Sequence, residues 1–111
     1  MEKILITGGA GFIPSSLADS LLQLGYEVVL LDNLLTGKQD NVPINKNCSF
    51  HQIDVNDYDS LSPVMLRNSF DYVFHYASVV GVARTLKNPG MVLRDIDGFK
   101  NIFTLCQSTG V

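Results

Sequence analysis

The chain has 111 residues, of which 46% are hydrophobic, and a formal net charge of −3 at neutral pH. This length suits one domain with one core, and the mild acidity without a basic stripe argues against a nucleic-acid-binding domain. No apolar stretch approaches the roughly 20 residues that cross a bilayer, and two cysteines without metal-binding spacing are typical of a reducing, cytoplasmic compartment.

Short apolar runs alternate with helical patterns along the chain. The predicted strands cover residues 3–7, 26–31, 49–53 and 72–76, and the predicted helices cover residues 15–24, 58–67 and 88–110. Such alternation is typical of right-handed β-α-β units with a parallel sheet. We therefore predict an α/β fold, a Rossmann-type doubly wound parallel sheet of about four strands, with residues 1–111 as the N-terminal portion of the domain.

Two helices carry apolar stripes that predict their buried faces. The stripe of the first helix consists of Ile13, Leu17, Leu21 and Leu24, and that of the last helix consists of Val92, Ile96, Phe99, Phe103 and Cys106. Gly25 is expected to end the first helix. Asn88 is expected to cap the last helix. Gly98 in the middle of this helix indicates close packing of the helix against the sheet.

The segment between the first strand and the first helix is rich in glycine. Gly8 and Gly11 let the backbone approach a ligand closely, and the helix N-terminus would offer the N–H groups of Phe12 and Ile13 to an anion. This pattern predicts a pyrophosphate-binding turn, with an ordinary strand-to-helix turn as the alternative. Pro14 stands where a third glycine is expected. We expect it to shift the helix slightly and to weaken cofactor binding without abolishing it.

Carboxylates end the second and third strands. Asp32 follows Gly11 by 21 residues, close to the spacing of a ribose-binding acid; it would repel a 2′-phosphate, which favours NAD over NADP. Asp54 and Val55 are predicted to meet the adenine. The alternative is that Asp54 caps the next helix, a role that Asp57 could also take. His75 lies in an apolar strand, so we interpret it as a packed residue and assign it no catalysis.

Together these motifs resemble the extended short-chain dehydrogenase/reductase family, in particular its NAD-dependent nucleotide-sugar epimerases, dehydratases and decarboxylases. The matching segments are residues 7–13, 32–34, 36–38, 54–55 and 74–78, with Asp95, Gly98 and Asn101 on the last helix. The resemblance implies NAD as cofactor and a nucleotide-sugar substrate. It also implies cofactor contacts from Asn33, Gly37, Lys38, Tyr76, Ala77 and Ser78, and it places the start of the sugar contacts at residues 80–82.

Phe99 and Asp95 depart from the family pattern on the last helix, where a threonine and an asparagine are usual. From the sequence pattern of the helix alone, Asp95 and Asp97 are predicted to lie on its solvated face.

The same resemblance implies a catalytic Ser or Thr with a Tyr-x-x-x-Lys pair. None of the four tyrosines has a lysine four residues later, so no catalytic residue is predicted here. We interpret the chain as the cofactor-binding N-terminal portion of a longer enzyme, inactive by itself. The rival interpretation is a non-catalytic dinucleotide-binding module complete at 111 residues. An incomplete sheet would leave the fourth strand as an open edge, so we expect a homodimer or other self-association.

Overall fold

The computed structural model describes residues 1–78 and 82–111. Four strands alternate with helices in the predicted order. The elements are β1 (Lys3–Thr7), α1 (Phe12–Gln23), β2 (Glu27–Asp32), a short 3₁₀ turn (Gln39–Asn41), β3 (Cys48–Gln52), α2 (Tyr58–Arg67), β4 (Tyr72–His75), α3 (Val82–Lys87) and α4 (Pro89–Thr109). Neither α3 nor the short 3₁₀ turn has a counterpart in the sequence prediction.

The strands form one parallel sheet in the order β3-β2-β1-β4. Ile4 of β1 lies opposite Val28 of β2 on one side and opposite Tyr72 of β4 on the other. The chain crosses from one side of β1 to the other between β3 and β4, which creates a crevice at the carboxyl ends of the strands. This topology confirms the predicted doubly wound α/β fold.

The sheet is covered on both faces, which explains why residues 4–6 of β1 and 28–31 of β2 are apolar without interruption. On one face, Ile4, Ile6, Val28 and Leu30 pack against α1, through Ala18 and Leu22. On the other face, the buried residues come from β1, β2, α2 and α4, and include Leu5, Val29, Leu31, Leu61, Met65, Ile102 and Leu105. Alternate residues of one strand therefore serve two separate cores.

The predicted stripe of α1 is only partly correct. Leu17 and Leu21 are half-buried, but Ile13 and Leu24 are 64% and 74% exposed. The buried residues are Pro14, Ser15, Ala18 and Leu22. The short glycine turn brings α1 close to the sheet, so small side chains occupy the points of closest approach.

The predicted stripe of α4 is wrong for Ile96, Phe99 and Phe103, which are 56%, 54% and 61% exposed. Gly98, Ile102 and Leu105 are buried instead. The helix is apolar on two sides, and packing against α2 selects the other side for the core. Asn88 precedes α4 as predicted, but its side chain donates to the Arg84 carbonyl at 3.0 Å and does not cap the helix.

None of the helices in the described residues is long and apolar enough to cross a membrane.

Candidate cofactor site

The glycine turn between β1 and α1 adopts a geometry that leaves helix N–H groups open. Gly8 has a φ of +69°, and the Gly11 N–H donates to the Gly8 carbonyl at 3.0 Å. The first bond of the helix runs from the Ser15 N–H to the Gly11 carbonyl. The N–H groups of Phe12 and Ile13 have no acceptor within residues 1–78 and 82–111. The start of α1 is therefore suited to bind an anion.

Pro14 is the third residue of α1 and is buried. Its missing N–H costs no helix bond there, since the first-turn N–H groups have no intrahelical acceptor. A Cβ added at Gly11 would lie 3.4 Å from the Pro14 Cδ. The ring thus fills space directly beside the anion-binding turn.

Asp32 lies at the end of β2 and is 8% exposed. Its Oδ2 accepts from the Ala10 N–H at 3.0 Å, and its Oδ1 accepts from the Leu34 N–H at 2.7 Å. Leu34 has a φ of +62°, a strained conformation for leucine that the second bond helps to hold. The carboxylate retains further acceptor positions on both oxygens, and it lines a cavity.

Gly37 lies directly over this carboxylate. A Cβ at Gly37 would lie 2.6 Å from Asp32 Oδ2 and 2.9 Å from the Ala10 Cβ. The absence of a side chain at this position therefore allows the loop after β2 to close over Asp32. Lys38 assists through its backbone, because its N–H donates to the Ala10 carbonyl at 3.0 Å.

The turn after β3 is held to α4 by two side-chain amides. Asn56 Oδ1 accepts from the Gly98 N–H at 2.9 Å, and Asn101 Nδ2 donates to the Val55 carbonyl at 3.0 Å. A Cβ at Gly98 would lie 2.5 Å from Asn56 Oδ1, so the helix does pack closely at Gly98, but against this turn and not against the strands of the sheet. Asp57 caps α2 by accepting from the Asp59 N–H.

Asp57 therefore takes the capping role that was the alternative for Asp54. Asp54 Oδ1 accepts from the Asn56 N–H at 2.9 Å, and its Oδ2 lies 3.8 Å from the Arg94 guanidinium. Asp54 also lines the cavity next to Val55.

The end of β4 is tied to β1 through the buried Thr7 hydroxyl. Thr7 Oγ1 accepts from the Tyr76 and Ala77 N–H groups at 3.0 and 3.2 Å, and it lies 2.7 Å from His75 Nδ1. Burial lowers the pKa of His75 below its ordinary value of 6.5, and the negative charge of Asp95 offsets part of that effect. His75 is thus a packed, hydrogen-bonded residue, as its apolar strand predicts.

These features surround one cavity of about 400 Å³ at the carboxyl ends of the strands. All of the predicted site residues line it except Lys38, which contributes only the backbone bond described above. The predicted residues at the cavity are Gly8, Gly11, Phe12, Ile13, Asp32, Asn33, Gly37, Asp54, Val55, Tyr76, Ala77 and Ser78. Residues 80 and 81, where sugar contacts were expected to begin, lie outside the described residues.

Three cavity residues that the sequence interpretation missed come from α4. Met91, Arg94 and Asp95 line the same cavity. Asp95, expected on a solvated face, is half-buried and accepts from Asn56 Nδ2 at 3.5 Å. Asp97 is exposed as predicted. The spacing of Asp95, Gly98 and Asn101 could have predicted that Asp95 reaches the site, since all three residues lie on one side of α4 and contact the turn after β3.

The remaining candidate groups lie elsewhere. Cys48 and Cys106 are free, and burial raises the pKa of both thiols. Within the described part of the chain, no three His, Cys, Asp or Glu side chains are grouped so that they could hold a metal ion.

Comparison with known proteins gives a family match over nearly the whole chain. Residues 4–111 match the model of the NAD dependent epimerase/dehydratase family. The chain is 37% identical over 94 residues to a UDP-glucose 4-epimerase of Neisseria meningitidis, covering 80% of this chain and 28% of that protein. It is 36% identical over 103 residues to a UDP-N-acetyl-alpha-D-glucosaminuronate decarboxylase of Bacillus cytotoxicus, covering 91% of this chain and 32% of that protein.

Solved structures show the same similarity. The crystal structure of Thermus thermophilus UDP-glucose 4-epimerase in complex with NAD superposes with a TM-score of 0.90 at 34% identity, covering 98% of this chain and 35% of that one. The chain thus spans about a third of the length of these relatives. The chain belongs to the NAD-dependent epimerase/dehydratase family.

Proposed function

We propose that the chain is the NAD-binding portion of a nucleotide-sugar epimerase or a related dehydratase or decarboxylase. The observation that carries this proposal is the buried Asp32 carboxylate at one end of a cavity that also contains the open N–H groups of Phe12 and Ile13. A dinucleotide has ribose hydroxyls and a pyrophosphate that match these two features. Relatives described as NAD complexes support it.

We propose that the parts of NAD follow one another along this cavity. The Phe12 and Ile13 N–H groups would hold the pyrophosphate, and Asp32 would accept bonds from the adenosine ribose hydroxyls. Asp54 and Val55 would lie beside the adenine. The backbone of residues 76–78 would wall the opposite end of the cavity. The absence of side chains at Gly8 and Gly11 keeps the turn beside the cavity compact, since a Cβ at either would lie within 3.2 Å of backbone atoms.

When bound, NAD would supply a hydride acceptor for transient oxidation of the sugar. The residues of this chain bind and orient the cofactor for that chemistry. They include no Tyr-x-x-x-Lys pair and so provide no general base of the family type. We therefore propose that the 111-residue chain binds NAD but does not convert a sugar nucleotide by itself.

Titration of the chain with NAD tests this proposal. We expect calorimetry to show saturable one-to-one binding of NAD. We expect NADP to bind about 100-fold more weakly, because the Asp32 carboxylate would repel the negatively charged 2′-phosphate at close range, with no water to screen the two charges. Absence of binding to either dinucleotide would contradict the proposal. Equal affinity for the two would contradict the role of Asp32.

Pro14 provides a second test of the site. We expect Pro14→Gly to bind NAD about threefold more tightly, because removing the ring relieves the space beside the pyrophosphate turn. Pro14→Ala, which restores the N–H but keeps a Cβ, is the matched control and should gain less. Unchanged affinity in Pro14→Gly would refute an effect of the proline on binding.

We also propose that the chain self-associates. Among the described strands, β4 pairs on one side only, and Phe99 and Phe103 lie exposed on α4 above it. Pairing of β4 with a strand of a second copy, and burial of the two aromatic rings against that copy, would stabilise a dimer. Sedimentation should show a concentration-dependent dimer, and Phe103→Lys should weaken it. Leu24→Lys, at an exposed site directly after α1, should not. A monomer at all concentrations would contradict this proposal.

The rival function, a complete non-catalytic module, would bind NAD equally well. The family match and the longer relatives favour the first function. The codons after Val111 distinguish them, because a downstream Tyr-x-x-x-Lys supports the enzyme and a stop codon supports the module.

A further inference from the structure

The hydrogen bonds around Thr7 determine where its proton lies. A hydroxyl has one hydrogen and two acceptor positions. Both acceptor positions of Thr7 Oγ1 are taken, by the Tyr76 and Ala77 N–H groups. The Thr7 hydroxyl therefore donates its hydrogen to His75 Nδ1, which lies 2.7 Å from Thr7 Oγ1. Nδ1 must then be an acceptor, which places the ring proton on Nε2 and keeps the imidazole neutral.

The residues held by Thr7 form one wall of the cofactor cavity. Tyr76, Ala77 and Ser78 line it, and their backbone lies directly against the glycine turn. A Cβ at Gly8 would approach the Ala77 nitrogen and the Tyr76 carbonyl carbon to 3.0 Å. A change at Thr7 therefore moves the wall at the point where it meets the turn.

We propose that His75 is a positioning residue whose neutral ring, acting through Thr7, holds residues 76–78 against the glycine turn, and whose protonation releases them. This inference rests on the proposed NAD site. A protonated ring would present an N–H at Nδ1 to an oxygen that already accepts two bonds. One of the bonds from Tyr76 or Ala77 would then have to break.

The surroundings of His75 agree with a neutral ring at physiological pH. From β1 it meets Thr7, which does not titrate in this range. On the α4 side, the His75 ring packs edge to face on Phe99, with the ring centroids 5.9 Å apart. The negative charge of Asp95 acts on His75, and Cys106 and His75 line one groove together. Burial lowers the pKa of His75 more than Asp95 raises it. The neutral, bonded state is thus fully present above the ordinary value of 6.5 and is lost as the pH falls through the lowered pKa.

Nitrogen NMR of the wild-type chain tests the first step without any variant or cofactor. We expect the Nε2–H tautomer of His75 at neutral pH, and slow hydrogen exchange at the Tyr76 and Ala77 amides. The Ala77 amide should exchange faster, relative to its intrinsic rate, as the ring protonates, and the Tyr76 amide should change less, because it also donates to the Thr7 carbonyl at 3.3 Å. An Nδ1–H tautomer, or amide protection that does not change with His75 protonation, would overturn the proposal.

Two substitutions test the link to the cofactor. His75→Leu removes the acceptor and should weaken NAD binding about tenfold at neutral pH. His75→Asn keeps an acceptor near the Nδ1 position and cannot protonate. It should bind NAD as the wild type does at neutral pH, and it should lack the decline in affinity that we expect for the wild type as the pH falls from about 6.5 to 5, a range above ordinary carboxylate titration.

His51→Asn, at the other histidine of the chain, is the control and should retain the wild-type pH profile. A pH profile of His75→Asn that still matches the wild type would overturn the proposal, as would wild-type affinity in His75→Leu. If His75→Leu fails to fold, the tautomer and amide measurements on the wild type decide. If the wild type binds no NAD at any pH, the proposed function fails, while those same measurements still decide whether His75 holds the wall.

Discussion

Asp32→Ala should abolish measurable NAD binding and also destabilise the fold. The substitution removes the acceptor of the buried Ala10 N–H and of the Leu34 N–H. Hydrogen bonds to a charged acceptor contribute about 1.5–3 kcal/mol each, and an unsatisfied buried donor costs more than an exposed one. We expect the free energy of unfolding to fall by about 3 kcal/mol, and the NAD affinity to fall by at least about 100-fold.

The two losses have separate causes and can be measured separately. Chemical denaturation without cofactor reports the stability, and calorimetry at a temperature where the variant is folded reports the binding. Asp40→Ala is the matched control, because it removes the same charge from an exposed position in the same loop. Stability of Asp32→Ala equal to that of the control would show that the carboxylate does not hold the loop. NAD affinity equal to that of the control would exclude Asp32 from the ribose site.

Gly8→Ala should destabilise the chain by about 3 kcal/mol and weaken NAD binding by at least about tenfold. The φ of +69° is costly for alanine, by about 1–2 kcal/mol. In addition, the new Cβ would lie 3.0 Å from the Ala77 nitrogen and the Tyr76 carbonyl carbon, which are backbone atoms and cannot rotate away. The end of β4 would have to move away from the pyrophosphate turn.

Gly25→Ala separates the backbone strain from the steric contact. Gly25 has a φ of +93°, but a Cβ there would meet no atom within 4 Å. We therefore expect a loss of about 1–2 kcal/mol from strain alone and unchanged NAD affinity. Thermal and chemical unfolding of both variants, with NAD titration of each, provide the comparison. Equal losses of stability and affinity in the two variants would contradict the close approach of β4 to the glycine turn.

The strands and the glycine turn were predictable because their signals are local. A run such as residues 3–7 followed by Gly8 and Gly11 specifies a buried strand and a tight turn within about ten residues of sequence. Asp32 was predictable for a related reason, since the length of one β-α-β unit sets its distance from the turn. Asp54 and Val55 reach the cavity because parallel strands end at the same edge of the sheet.

The buried faces of the helices were less predictable. α4 is apolar on two sides, and periodicity alone does not tell which side meets the sheet. The bond from the Gly98 N–H to Asn56 and the packing of Ile102 and Leu105 on α2 select one side. Phe99 and Phe103 consequently lie on the exposed side. Their exposed apolar rings support the proposed self-association.

The sequence by itself determined the α/β fold, the strand boundaries to within about a residue, and the positions of the glycine turn and of the acid that ends β2. Only the tertiary structure showed that Met91, Arg94 and Asp95 reach the same cavity, that Gly37 closes over Asp32, and that the Thr7 hydroxyl joins His75 to the wall at Tyr76 and Ala77. The physical reason is separation along the chain. Short-range geometry follows from backbone conformation and hydrophobic period, whereas contacts between residues nearly 70 positions apart, such as Thr7 and His75, depend on how the sheet and helices pack.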